Sequence, residues 1–358
     1  MSFWAPAPAA PSKLRLYRKL SPLAGIHVSP LVLGAMSIGD STWAKESSFK
    51  LLDAYFDKGG NFIDTANNYQ DETSEKIIGE WAETRGIRDQ LVIATKYTSN
   101  FKRGNGSFAQ IVNYTGNNTK SMSVSVDASL KKLRTAYIDI LYVHWWDWGI
   151  EELMHSPGQG LGISDTPAWV VSQANQYAKD HGKTPFVIYE GQWNVLDRSF
   201  ERDIIPMCRL AIAPWGVLGG GKFRIVAEED TEERRKTGEK GRTTFNPQWE
   251  RNENEKKISY TLEKVAGQVR TKSLTATNHH PVAIAYVIAK VPYCFPIIGG
   301  RKIEHVTQIA YLESIVPFEP GFPAAMIGDG TKSSAMLGMS ALFASQSVAQ
   351  PISLAKKR

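Results

Sequence analysis

Eight short apolar runs, each followed by a segment of a different period, constrain the fold of this chain more than any other feature. The runs are PLVLGA (30–35), NFIDT (61–65), LVIATK (91–96), YIDILYVH (137–144), LGIS (161–164), FVIYE (186–190), LAIAPW (210–215) and YCFPII (293–298). They are short, rich in β-branched residues and nearly continuously apolar, as strands buried on both faces are. Helical segments lie between them. ESSFKLLDAYFDKGG draws its apolar residues from Phe49, Leu51, Leu52 and Phe56 and stops at Gly59-Gly60. TSEKIIGEWAETRG ends near Gly86, and SMSVSVDASLKKLRT runs into the fourth strand. Asp165-Thr166-Pro167 reads as an N-cap followed by a first-turn proline, opening AWVVSQANQYAKDHG. Eight strand-then-helix units predict an α/β fold of the (β/α)8 TIM-barrel type. A doubly wound sheet is the rival, but no G-x-G-x-x-G follows the first strand.

The barrel is expected to occupy residues 15–330 of the 358. Residues 1–14 read as a flexible tail, and the Ala/Ser-rich stretch 331–358 as a partly ordered one. Residues 222–257, with EEDTEERRKTGEKGR and ERNENEKK, read as a charged surface insertion containing some helix. Hydrophobic residues at 42% and charged residues at 22% fit a soluble globular chain. No apolar run reaches the roughly 18 residues of a membrane span. The N-terminus has no apolar core of a secretory signal. The net charge of +6 is scattered, with no basic stripe interleaved with aromatics, which argues against nucleic acid. Cys208 and Cys294 show neither metal spacing nor a disulfide framework and read as buried small hydrophobes. With no export signal, the sequons at Asn113 and Asn117 carry little weight, and a cytoplasmic location is expected.

Barrel active sites form at the C-terminal ends of the strands. The second strand ends in Asp64 and continues as TANNY, which brings Tyr69 into the following loop. The third ends in Lys96 and the fourth in His144. Each residue alone has an ordinary structural use: a cap, a packed ring, a solvated cation. Together, on one barrel face, they suit the reduction of a carbonyl. Hydride addition leaves an alkoxide that needs a proton. A free tyrosine, with a pKa near 10, is a reluctant donor or acceptor near neutrality. An adjacent ammonium such as Lys96 favours the phenolate and lowers that pKa. Asp64 is then the group that holds Lys96 charged, and His144 a donor that orients the carbonyl oxygen.

FIDTANNYQDETSEKIIGEW, VIATKYT and YIDILYVHWWDW resemble the aldo-keto reductase superfamily, closest to its fungal branch of aryl-alcohol dehydrogenases and norsolorinic-acid-reductase-like enzymes. VSPLVLGAMSIGD, SDTPAWVVS, WNVLDRSFERDIIPM, APWGVLGGGKF and FPIIGGRKIEH extend the resemblance from about residue 15 to about residue 330. It implies a catalytic tetrad of Asp64, Tyr69, Lys96 and His144, with NADP(H) extended across the barrel mouth. Ser164 and Asp165 fall where the family contacts the nicotinamide carboxamide, and Trp215 where a ring stacks on the nicotinamide. Val217, Leu218 and Gly219 lie in the stretch that passes the pyrophosphate. Gly299, Gly300, Arg301 and Lys302 fall where the 2′-phosphate binds, and a Gly-Gly turn into two cations suits a phosphate. Trp145 and Trp146 follow the tetrad histidine, where the family lines its substrate pocket. The resemblance thus implies an NADPH-dependent reductase of an aryl aldehyde or polyketide-type ketone, with Tyr69 as proton donor.

The chain departs from the family pattern in several places. It is shorter near 149–161, 208–210 and 305–311, so some helical or strand elements are expected to be clipped. Glu190 stands where the family has Gln facing the carboxamide; a carboxylate accepts from the amide NH2 but cannot donate, and burying its charge is costly. These departures leave an alternative open, a catalytically weakened or inert NADP-binding barrel. Substrate, reaction direction and oligomeric state are not set by these residues.

Overall fold

A computed structural model describes residues 12–39, 45–149, 160–207, 210–224, 250–268 and 280–299. The described residues group into two compact units, one from residues 12–217 and 294–299, the other from residues 218–293. Most of the N-terminal tail, the heart of the charged insertion, Cys208, Gly300, Arg301, Lys302, the C-terminal tail and most of the three shortened segments lie outside the described residues.

All eight predicted strands form in the first unit. They are β3 (Val32–Gly34), β4 (Phe62–Asp64), β5 (Val92–Tyr97), β6 (Ile140–Val143), β7 (Gly160–Ser164), β8 (Phe186–Gln192), β9 (Ala211–Trp215) and β10 (Ile297–Ile298). Every neighbouring pair is parallel, in the order β10-β3-β4-β5-β6-β7-β8-β9. The two ends of that order meet: Phe295 N donates to Ile212 O at 2.8 Å, and Ile212 bridges Cys294 in parallel. The sheet is therefore a nearly closed (β/α)8 barrel. Ahead of it stands a two-stranded antiparallel hairpin, β1 (Arg18–Ser21) and β2 (Ala24–Val28), which the apolar pattern did not announce.

The helices of this unit are α1 (Lys45–Asp57), α2 (Thr73–Arg85), α3 (Thr119–Lys132), α4 (Ala168–Asp180) and the short α5 (Ile204–Met207). Helix α1 buries Leu51, Leu52 and Tyr55, each apolar side chain contributing about 1.5–3 kcal/mol. The Tyr55 hydroxyl lies 2.8 Å from the carbonyls of Leu31 and Phe62 and from Ser29 Oγ, so it ties the helix to the starts of β3 and β4. Gly86 ends α2 in the left-handed conformation, as expected. Asn118 caps α3 by accepting from Ser121 N at 2.9 Å. The cap assigned to Asp165 is corrected. Pro167 occupies the N-cap position of α4 without a side-chain cap bond, and Asp165 has φ 42° with its carboxylate bonded elsewhere.

Strand β7 persists between β6 and β8 although the segment before it is short. Its Gly162 has a packing reason. A Cβ there would lie 2.5 Å from the Tyr142 ring, which fills the space on the neighbouring strand. One extra residue of β8 bulges opposite Leu161-Gly162, and such bulges re-aim the side chains beyond them.

The second unit contains α6 (Glu253–Gln268), α7 (His280–Lys290) and a single turn at Gly219–Gly221. Asn252 and Glu255 form a reciprocal capping box at the start of α6, with bonds of 2.9 and 2.8 Å, so the last part of the charged stretch is ordered helix. Lys222 pairs with Glu255 at 3.0 Å. No described helix is long and apolar enough to cross a membrane.

Candidate active site

The strand ends at one mouth of the barrel bring together polar side chains from four strands. Lys96, near the end of β5, is only 1% exposed. Its Nζ donates to Asp64 Oδ1 of β4 at 2.5 Å and to the Thr65 carbonyl at 2.9 Å. It also pairs with Glu190 Oε2 of β8 at 3.4 Å. Burial alone would lower the Lys96 pKa, but Asp64 and Glu190 outweigh it and hold the ammonium charged. The ammonium lies 5.2 Å from the centre of the Tyr69 ring, and the Tyr69 and His144 rings meet edge-on at 5.8 Å. Asp64, Tyr69, Lys96 and His144 are thus gathered in one place.

The sequence argument expected Lys96 to bring the Tyr69 phenol down. Burial pushes the phenol up, Lys96 pulls against it by charge and hydrogen bonding, and Asp64 and Glu190 add to the upward push. The net direction is upward, so Tyr69 stays a neutral O–H. Burial, with the Lys96 charge behind it, drops His144 to about 3, so its imidazole is neutral at working pH. Tyr69 and His144 are therefore both neutral, and as whole residues both keep part of their surface open to solvent.

The segment that carries Tyr69 is held under strain. Gln70, Asp71 and Glu72 all have positive φ (48°, 50° and 73°), a left-handed turn without glycine. Lys102 pairs with Glu72 at 2.6 Å, and Lys132 with Glu75 at 2.7 Å. Lys132 also donates to the Asn67 carbonyl at 2.8 Å, and Glu75 accepts from Thr95 of β5 at 2.6 Å. These bonds tie the turn to β5 and α3.

Thr98, one residue past β5, has φ 89°, a marked outlier for a β-branched residue. Its hydroxyl donates to Asn117 Oδ1 at 2.7 Å and accepts from His144 N at 3.2 Å. Asn117 Nδ2 then donates to the Trp145 carbonyl at 3.1 Å. Thr98 and Asn117, both fully buried, therefore set the backbone of His144-Trp145. Sequence reading missed both, and had treated Asn117 only as a sequon of little meaning. The one available signal was the unbroken NNT before α3.

The remaining predicted residues are placed as follows. Ser164 is buried at the end of β7 and donates to Asp165 Oδ2 at 3.1 Å. The Trp215 side chain, at the end of β9, also hydrogen-bonds the Asp165 carboxylate. Desolvation raises the Asp165 carboxyl to about 6, with the bonds from Ser164 and Trp215 pulling it back. Trp145 is 38% exposed, with its indole N–H on Ser99 Oγ at 3.1 Å, while Ser99 Oγ lies 3.3 Å from His144 Nδ1. Trp146 is half-buried and meets the exposed Trp148 edge-on at 6.2 Å. Val217 is buried at the end of the first unit, while Leu218 and Gly219 begin the second. Gly299 is exposed just after β10.

A barrel whose strand ends gather Asp, Tyr, Lys and His is the setting in which comparison with known proteins becomes decisive. The Aldo/keto reductase family model matches residues 30–320. The chain belongs to the aldo/keto reductase family. Among its relatives in this family is an aryl-alcohol dehydrogenase [NADP(+)] of Phanerodontia chrysosporium, 55% identical over 92% of this chain and 94% of the relative. A norsolorinic acid reductase B of Dothistroma septosporum is 46% identical, covering 92% and 89%. An aldo-keto reductase, ausK, of Emericella nidulans is 47% identical, covering 92% and 88%. The chain is therefore an oxidoreductase barrel of the aldo/keto reductase kind, as its motifs implied.

Proposed function

We propose that this protein reduces an aryl aldehyde or polyketide-type ketone with NADPH, Tyr69 delivering the proton. The observation that carries the reading is the buried Asp64–Lys96 pair set beneath a neutral Tyr69 phenol and beside a neutral His144. The relatives, an NADP(+)-linked aryl-alcohol dehydrogenase and a norsolorinic acid reductase, suggest the cofactor and the substrate classes.

The residues present fit a nicotinamide. Its carboxamide needs acceptors for NH2 and a donor for its oxygen. Glu190 Oε2 is buried with no hydrogen-bond partner, an orphaned acceptor of the kind an amide N–H satisfies. The neighbouring Ser164 hydroxyl is buried and donates to Asp165 Oδ2 at rest, so it serves as that donor by turning its single O–H away from Asp165. When bound, NADPH supplies hydride to the carbonyl carbon. The Tyr69 O–H bond breaks as its proton passes to the carbonyl oxygen, so that the alkoxide leaves as the alcohol. Lys96 stabilises the phenolate left behind, and Asp64 keeps Lys96 in place. His144, neutral, offers an N–H to the same oxygen and costs no proton. Trp145 and Trp146 flank that position in the chain and give an aromatic wall suited to a flat substrate.

Titration of intrinsic tryptophan fluorescence with NADPH, followed by NADPH consumption across a panel of aromatic aldehydes, tests the proposal. Quenching on binding and turnover of several aryl aldehydes is the expected result. Binding without turnover of any panel member overturns the reductase reading, and no binding at all favours an inert barrel.

A further inference from the structure

The buried cluster at the barrel mouth holds more carboxylate than cation. Lys96 faces Asp64 at 2.5 Å and Glu190 at 3.4 Å, and all three side chains are at most 6% exposed. Asp64 takes the shorter bond. Glu190 is left with the longer ion pair, and its carboxyl also hydrogen-bonds Asp64. The groups facing Glu190 are Asp64 of β4, Tyr69 of the following loop, Lys96 of β5, Tyr142 of β6 and Asp165 after β7. Of these, one is a cation, two are acids and two are phenols. Two buried carboxylates on one ammonium cannot both be fully neutralised, so the cluster at rest keeps a proton or carries a surplus negative charge. Burial, then the Asp64 charge, push the Glu190 carboxyl well above its ordinary value, with Lys96 pulling it back. The Asp64 carboxyl is pushed up as well and hydrogen-bonds Glu190, so the pair shares a proton until more positive charge arrives.

The oxidised nicotinamide ring is a cation and the reduced ring is neutral. Any ring that exchanges hydride with a carbonyl in reach of Tyr69 must lie within a few ångströms of this cluster, because reacting atoms approach to about 3–3.5 Å. We propose that Glu190 sets the redox preference of the nucleotide site: its carboxylate favours NADP+ over NADPH, and NADP+ binding drives a proton out of the cluster. The inference rests on the nucleotide-binding reading above. A glutamine at this place carries no charge in either state and has no such coupling. Rising pH therefore tilts the site toward retaining NADP+.

The test compares wild-type protein with Glu190→Gln, a near-isosteric neutral replacement. Kd for NADP+ and for NADPH is read from tryptophan quenching between about pH 6 and about pH 9, above the ordinary carboxylate range. In the wild type, the ratio of Kd(NADPH) to Kd(NADP+) should rise by on the order of tenfold across this range; in Glu190→Gln it should stay flat. The 2′-phosphate is common to both nucleotides and cancels in the ratio. Calorimetry of the wild type in two buffers of different ionisation enthalpy gives an independent readout. NADP+ binding should release a proton, and NADPH binding should release none. A pH-independent wild-type ratio, or NADP+ binding without proton release, overturns the proposal. So does a Glu190→Gln protein that keeps both effects. If both nucleotides bind and aldehydes turn over while the ratio stays flat, only this inference fails. If neither nucleotide binds the wild type, the functional reading fails with it.

Discussion

The two ends of the barrel handle buried charge in opposite ways. At the N-terminal end of the strands, Arg88 and Asp139 meet at 2.8 Å, one cation to one carboxylate. Asp139 Oδ2 also accepts from Ile93 N at 2.9 Å. Arg88 donates to the carbonyls of Leu91 and Tyr137 at 3.2 and 3.1 Å, and lies 4.1 Å from the centre of the Tyr137 ring. At the C-terminal end, one ammonium serves two carboxylates, and Thr98 and Asp165 sit at positive φ. The first arrangement is balanced and bonded to backbone on both sides, which serves folding. The second holds unmet charge and strain, features that persist only where the surroundings enforce them and that gather at sites of chemistry.

The contrast can be broken most sharply at Tyr69. If the mouth is chemical, Tyr69→Phe removes one O–H and with it the proton source. The expected result is a fall in kcat of roughly 10²- to 10⁴-fold, with Kd for NADPH unchanged and thermal stability close to wild type. A loss of less than about tenfold would show that another group delivers the proton. The pH profile of the wild type sharpens the same point. With His144 held at about 3, kcat for reduction should show no break near 6.5, the ordinary histidine value.

How much of this was legible beforehand follows from the range of the interactions. The strands were legible because burial on both faces leaves continuous apolar runs, and β5 is buried at every position. Tyr69, Lys96 and His144 were legible because a barrel puts every strand's C-terminal end on one face, whatever lies between. The β1–β2 hairpin was not, since its two short strands mix polar and apolar residues and leave several of them exposed, so they form no continuous apolar run. Asp165 was misread as a cap because Asp-Thr-Pro is a strong local signal, whereas its bonds to Ser164 and Trp215 depend on where β9 lies. The tie from Glu190 to Lys96 spans two strands that are not neighbours in the sheet, and no local pattern records it. The upward shift of Tyr69 escaped for a related reason. Spacing announces a nearby cation, but burial is a sum over the whole surroundings.

The balanced end predicts the reverse of the mouth. Asp139→Ala leaves the Arg88 guanidinium, whose side chain is 13% exposed, without its carboxylate, and Ile93 N without its acceptor. Stability should fall by about 3 kcal/mol, since removing one partner of a mostly buried pair strands the other. Urea titration reads this as a lower midpoint at an unchanged slope. The folded fraction should keep kcat and both nucleotide affinities. A variant that kept wild-type stability but lost turnover would erase the distinction between the two ends.

The smallest effect is expected where structure and chemistry meet, at Asn117. Its side chain touches no reacting group; it bridges the strained Thr98 hydroxyl to the Trp145 carbonyl. Asn117→Ala frees Thr98 Oγ1 to turn and loosens the backbone that aims His144. Misplacement by a fraction of an ångström costs far less than removal of a proton donor, so kcat should fall by only about tenfold. A positioning role separates from a purely structural one in how the loss divides. Positioning lowers kcat while Kd for NADPH holds, because the nucleotide contacts proposed at Ser164 and Glu190 lie on β7 and β8, strands that Asn117 does not touch. A structural role lowers the midpoint of unfolding and leaves kcat of the folded protein intact. Asn117→Asp keeps the acceptor for Thr98 but loses the donor to Trp145 and buries a carboxylate, so it should recover part of the rate at a further cost in stability. Equal rates for the Ala and Asp variants would leave the Thr98 bond without a part in aiming His144, and the strain at the mouth would then need another explanation.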